Sequence, residues 1–202
     1  MRLVFATGNQ GKMREIREIM EGSGYEIVSM KEAGVDIDIE EDGTTFEENA
    51  LIKARAVHDL LPDDLVLADD SGLAVDALGG EPGIYSARYL GHDTPYSIKN
   101  ADIIRRLEGK VGKERSARFV CAIAAVFPDG TEKCVLGTIE GQIDFEEKGE
   151  HGFGFDPIFY VPELGCTTAE IPELEKNKIS HRGKALRLMR RELLEHESTD
   201  RQ

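Results

Sequence analysis

Arg2-Leu3-Val4-Phe5-Ala6-Thr7-Gly8-Asn9-Gln10-Gly11-Lys12-Met13 joins a β-rich apolar run to a glycine turn and then to Met13, Ile16, Ile19 and Met20 at helical spacing. Residues 2–7 read as a strand, and Gly22 and Gly24 stop the helix that follows. Strand, glycine turn and helix in that order point to an α/β fold. The alternation continues outward. Residues 25–30 form a second short strand, and the acidic segment 36–43 reads as a loop or an edge. Thr45-Phe46-Glu47-Glu48 has the capping-box pattern, starting a helix over about 46–61 with Phe46, Ala50, Ala54, Val57 and Leu61 on one face. Leu65 to Ala68 is an apolar strand expected to deliver Asp69-Asp70-Ser71-Gly72 to a strand-to-turn corner, the end of the sheet where α/β proteins place their chemistry.

Thr94-Pro95 supplies an N-cap and a first-turn proline for a helix ending near Gly109. From Ala117 to Ile143 the texture becomes a β-meander. Its turn is read as the two residues Asp129-Gly130, a register in which paired positions sum to 259 and Cys121 and Cys134 do not meet. A last helix begins after Ser180. Length sets one compact domain with two lobes over 1–196, followed by a frayed tail, 197–202.

Charge narrows the function. The 202 residues hold 25 Lys+Arg against 39 Asp+Glu, a net charge of −14. Nucleic-acid polymers are bound through many basic residues, so no such partner is expected. The longest unbroken apolar run, residues 119–127, is about half of what a membrane-spanning helix needs, and no signal-peptide pattern is present. Cys121, Cys134 and Cys166 form neither a CxxC pair nor a metal spacing, which suits a reducing cytoplasm.

Four segments could carry chemistry. Thr7, Gly8, Asn9, Gln10, Gly11 and Lys12 make a turn whose backbone N–H groups and helix end suit a phosphate, or else an ordinary tight turn with a solvated lysine. Only two residues separate its glycines and Met13 follows the lysine, so it is not a Walker A loop. Glu40-Glu41 and Asp69-Asp70 are carboxylate pairs, either solvated or structural, or else ligands for a divalent cation that lets carboxylates coexist with polyphosphate. Gly152-Phe153-Gly154-Phe155-Asp156-Pro157 offers rings that could stack on a base, or a plain core bulge. Residues 175–184 gather positive charge suited to a small polyanion, or to a solvated helix start. No DxDx[TV], HExxH or G-x-S-x-G motif occurs, which leaves oxygen-bound metal as the expected chemistry.

Taken together, TGNxGK, FEENAxxKA, DDSGL with ALGGxPGIYSAR, GFGFDPIF and EKNxxSHRGxAL, spread in order from residue 7 to residue 186, resemble the inosine triphosphate pyrophosphatase family. The resemblance implies hydrolysis of ITP, dITP and XTP to the monophosphate and pyrophosphate, with Mg²⁺. It also implies an elongated α/β fold, a mixed β-sheet flanked by helices with the active cleft between two lobes, and a homodimer. By the same resemblance Thr7 to Lys12 and Lys53 hold the triphosphate. Asp70 is the proton acceptor and a metal ligand, Glu41 the other metal ligand, with Glu40 beside it as a competing alignment. Ser71 touches substrate. Phe153, Gly154, Phe155 and Asp156 surround the base, with Lys176, His181 and Arg182 reaching the base or its phosphates. Hypoxanthine carries O6 and N1–H where adenine has an amino group and a bare nitrogen, so donors such as Arg182 aimed at O6 favour the former. Two other readings share these features: a broader nucleotide pyrophosphatase favouring modified pyrimidines, and a nucleotide sensor without turnover.

Overall fold

The computed structural model describes residues 2–199. In chain order it contains β1 (Arg2–Phe5), α1 (Gln10–Ile19), β2 (Glu26–Ser29), α2 (Phe46–His58), β3 (Leu65–Val75) and α3 (Tyr96–Arg106). These are followed by β4 (Ser116–Val126), β5 (Glu132–Ile143), β6 (Phe159–Val161), β7 (Cys166–Thr167), α4 (Glu173–Ile179) and α5 (His181–Thr199). The strands form one seven-stranded sheet in the order β2-β1-β3-β4-β5-β6-β7. β1 runs parallel to β2 and β3, and β6 antiparallel to β5 and β7, so the sheet is mixed and the class is α/β as expected. Of the tail expected at 197–202, residues 197–199 belong to α5 and 200–202 lie outside the described residues.

The chain divides into two compact units. The first is Met1–Asp70, Cys121–Gly137 and Arg182–Gln202; the second is Ser71–Val120 and Thr138–His181. In the first unit successive strand residues alternate between two cores. Leu3, Phe5, Leu65 and Leu67 pack with Met13 and Ile16 of α1 and Met189 of α5. Val4, Val66 and Ala68 pack with Ala50, Ala54 and Val57 of α2. Covering both faces is what makes these strands read as unbroken apolar runs, and each large side chain so buried contributes about 1.5–3 kcal/mol. In the second unit Leu73 and Val75 meet Ile103 and Leu107 of α3, with Phe119 and Phe159 in ring contact at 4.2 Å.

Several expectations change. The N-cap of α3 is Pro95 and not Thr94, whose hydroxyl instead donates to the Leu90 carbonyl at 2.7 Å. β3 does not end at Ala68 but continues to Val75, so Asp69 and Asp70 lie within a strand and not at a corner. Aspartate and glycine disfavour strands, but here both carboxylates find cationic partners and Leu73 and Val75 resume the buried alternation. The β4–β5 loop is three residues, not two. Phe127 N–H donates to the Thr131 carbonyl at 2.9 Å, a pair summing to 258, and Gly130 takes φ +82. Pro128-Asp129-Gly130 prefers this type I turn closed by a left-handed glycine. Half of the capping box at α2 is present: Thr45 Oγ1 accepts from Glu48 N at 3.1 Å, but Glu48 Oε2 accepts from Thr44 N at 2.6 Å, and the helix stops at His58.

Candidate active site

Alternation along β3 decides where the two aspartates go. Asp69 follows Leu65 and Leu67 onto the face covered by α1 and α5; Asp70 follows Val66 and Ala68 onto the face covered by α2. Neighbours in sequence therefore enter different surroundings.

Asp69 is fully buried and meets Lys12 Nζ of α1 at 3.0 Å and Arg182 Nε of α5 at 3.4 Å. Burial alone opposes its ionisation, but Lys12, Arg182 and Lys53 outweigh it and hold the carboxyl well below the usual range. Arg182 is itself buried and bonded through NH1 to Glu15, a carboxylate of α1 with no exposure. Burial pulls the Arg182 pKa down, and Asp69 and Glu15 more than reverse it. The turn before α1 is organised locally: Asn9 caps the helix by accepting from Lys12 N at 3.1 Å, and Asn9 N–H donates to Thr7 Oγ1 at 3.2 Å. A side chain added at Gly8 would meet nothing within 4 Å, so the backbone there is open to an incoming group.

Asp70 has different company. Its Oδ2 accepts from Asn49 Nδ2 at 3.1 Å, and its Oδ1 lies 3.7 Å from Lys53 Nζ. The same ammonium sits 2.8 Å from Glu41 Oε2. Burial raises the Asp70 pKa, Lys53 opposes the rise and the Glu41 charge adds to it, leaving the carboxyl above its ordinary value. Lys53 is held protonated: burial disfavours its charge, and Asp69, Asp70 and Glu41 restore it. Glu40 is exposed, and it is Glu41 that reaches Lys53. Ser71 is the next β3 residue, half-buried, where the chain passes into the second unit.

In the second unit the segment 152–156 wraps around one carboxylate. Asp156 Oδ2 accepts from Phe153 N at 2.8 Å and from Lys176 Nζ at 3.0 Å, and Oδ1 accepts from Thr168 Oγ1 at 2.8 Å. The Lys176 ammonium also lies 5.2 Å from the Phe153 ring centre. Phe155 is buried in the core, edge-on to Tyr96 at 5.1 Å, whereas Phe153 is half-buried. The stacking expected of both rings thus has a core member and a surface member. His181 stacks on Phe119 at 4.8 Å.

The first unit therefore gathers Thr7–Lys12, Glu41, Lys53, Asp70 and Arg182; the second gathers Phe153–Asp156 and Lys176, with Ser71 and His181 also in it. Sequence reading missed Glu15, Asn49 and Thr168 as partners in these sets. Glu15 and Asn49 had a signal: each is a polar residue on the inward face of an amphipathic helix, and a buried polar group requires a partner. Thr168 had none, since only the fold brings it to Asp156.

The chain as a whole is similar to known proteins. The Ham1 family model matches residues 3–192. A protein of Caldanaerobacter subterraneus subsp. tengcongensis named dITP/XTP pyrophosphatase is 48% identical over 187 residues, 92% of each chain. A Bacillus subtilis protein of the same name is 47% identical over 184 residues, 91% of this chain and 92% of the relative. The solved structure of the Staphylococcus aureus Ham1 protein is similar with a TM-score of 0.87 at 41% identity, over 97% of this chain and 100% of that one. A HAM1 protein from Coxiella burnetii gives 0.87 at 39% identity, over 96% and 99%.

Proposed function

The chain belongs to the Ham1 family, and from that premise we propose that it hydrolyses the non-standard purine nucleoside triphosphates ITP, dITP and XTP to the monophosphate and pyrophosphate. The observation that carries the reading is Asp70: a buried carboxylate with a raised pKa, tied to Asn49 and Lys53 one residue from the Asp69–Lys12 pair. A carboxylate shifted this way is a stronger base than an ordinary one, and a group that takes a proton from water at phosphorus needs that.

The first unit's set takes the triphosphate. Thr7 to Lys12 offer backbone N–H groups and a helix N-terminus, and Lys12, Lys53 and Arg182 offset phosphate charge. Glu41 and Asp70 both approach one ammonium nitrogen, so they already share a cation, and their hard oxygen donors fit Mg²⁺, which binds through one or two carboxylates and phosphate oxygens. Among the described residues no group of three or more His, Cys, Asp and Glu could hold a metal. When bound, the cation neutralises phosphate charge and acidifies water. Asp70 then orients water and takes its proton as the α-phosphorus is attacked, while Lys12 and Lys53 stabilise the departing pyrophosphate. Ser71 contacts substrate.

The second unit's set takes the base. Phe153 stacks on the purine, and Gly154, Phe155 and Asp156 shape the loop that presents it. Lys176 and His181 supply donors that pair with O6 and face the adenine amino group badly. Further proposals are that the protein works in the cytoplasm, consistent with three free cysteines, and as a homodimer, which light scattering at working concentration tests.

A base panel decides the function. XTP, dITP and ITP are compared with ATP, GTP, UTP and dTTP in the presence of Mg²⁺, assaying phosphate with and without added inorganic pyrophosphatase. The reading requires pyrophosphate from the first three at far higher kcat/KM. Orthophosphate alone, or no turnover, overturns it.

A further inference from the structure

Asn100 on α3 is 1% exposed, yet its side chain is only half used. Its Nδ2 donates to Glu147 Oε1 at 2.6 Å and to the Gly154 carbonyl at 3.4 Å, while the buried Oδ1 has no hydrogen-bond partner. An interior amide oxygen without a partner destabilises a fold, and an apolar residue of similar shape avoids that penalty. Stability therefore does not explain an asparagine here; what its amide holds does.

One helical turn earlier, Tyr96 meets Phe155 edge-on, with ring centres 5.1 Å apart and planes at 87°. Its ring carbons lie 3.6–3.7 Å from where a Cβ on Gly154 would stand. Lys99 Nζ lies 4.7 Å from the Tyr96 ring centre and donates to the Ala87 carbonyl at 2.8 Å, fixing the tyrosine in turn. Residues at i and i+4 of one helix thus hold two consecutive residues of the GFGF loop, by its carbonyl and by its ring.

We propose that Tyr96 and Asn100 are positioning residues for the 152–156 loop: Asn100 fixes the Gly154 carbonyl, Tyr96 fixes the plane of Phe155, and together with the Asp156 bond to Phe153 N they set the half-buried Phe153 ring for the base. The inference rests on the reading that this loop takes the base. Neither residue touches substrate in this account. Their effect passes through the loop, so it falls on binding and not on the chemical step.

The test uses Asn100→Leu, with Tyr96→Leu as the second variant. In the ligand-free protein, amide hydrogen exchange over residues 152–155 is expected to be faster in both variants, with the melting temperature of Asn100→Leu unchanged or raised. KM for XTP should rise about three- to tenfold, with kcat held within about twofold. Unchanged exchange over 152–155 overturns the proposal. So does a fall in melting temperature with kcat and KM degraded together, the mark of a merely structural residue. If the unsubstituted protein fails to turn over XTP, the functional reading falls, and the exchange comparison alone decides the positioning role.

Discussion

Asn49 Nδ2 donates to Asp70 Oδ2 across 3.1 Å, binding the carboxylate to α2 while its other oxygen faces Lys53. Asp70→Asn keeps the shape and removes the base. The expected result is a kcat lower by about 10²–10⁴, with KM for XTP little changed. Stability should move the other way. Burial and Glu41 raise the folded pKa of Asp70 above its ordinary value. A group raised in this way contributes stability below its unfolded pKa and loses it as pH rises through the folded value, so at pH 7 the ionised form is a burden that asparagine lifts. Steady-state kinetics and a thermal melt at pH 7 check both. A kcat within about threefold of the parent removes Asp70 from the chemistry.

Asp69 carries the opposite sign. Burial raises its pKa, but Lys12, Arg182 and Lys53 lower it more, so the folded pKa lies below the unfolded one. Its contribution is present above the ordinary carboxylate range and is lost only as pH falls through the depressed folded value. Asp69→Asn leaves the buried Arg182 and the half-buried Lys12 without this counter-charge, and breaking a buried pair destabilises by about 3–5 kcal/mol. Urea unfolding at pH 7 measures it. A loss near zero would mean that Glu15 alone satisfies Arg182.

These neighbours also show how far sequence could be read. Strand–turn–helix periodicity reveals the class, and the TGNQGK, DDSG, GFGF and SHRG segments supply most of the candidate residues, because each is a short contiguous run that can be read without the fold. The turn after Ala68 was misplaced because aspartate and glycine signal turns by local preference. What overrides that preference, cations from α1, α2 and α5, comes from 17 to 113 residues away in the chain. Thr168 at Asp156 was invisible for the same reason. The β4–β5 register differs by one from that of a two-residue turn because Pro128 belongs to the turn, whereas Asp129-Gly130 is the stronger local signal.

Two glycines make a paired prediction. A Cβ on Gly152 would lie 2.1 Å from Asp156 Oδ2, at φ +73 where L-residues are strained. That oxygen cannot yield without losing its bonds to Phe153 N and Lys176. Gly152→Ala should therefore destabilise by about 1–3 kcal/mol and raise KM for XTP. Gly8→Ala, with open space around its Cβ, should leave stability within about 0.5 kcal/mol yet weaken pyrophosphate inhibition, because the added methyl stands where phosphate approaches. Thermal melts and inhibition constants on both variants separate the loop's need for glycine from the ligand's.

Glu41 and Asp70 reach one ammonium from different elements, the acidic loop and β3, so removing one should weaken metal binding without abolishing the site. Chelation with EDTA is expected to stop turnover of the native protein, and Mg²⁺ to restore it. In Glu41→Gln, Lys53 loses a hydrogen-bonded charge at 2.8 Å and the metal loses a carboxylate. The Mg²⁺ concentration for half-maximal rate should rise by about 10–100-fold, with the rate at saturating Mg²⁺ recovering most of the loss. Glu40→Gln, at an exposed position, should leave the Mg²⁺ titration where it was. A titration that shifts for Glu40→Gln and not for Glu41→Gln would transfer the ligand role to Glu40, since it would show that Glu41 serves only to hold Lys53.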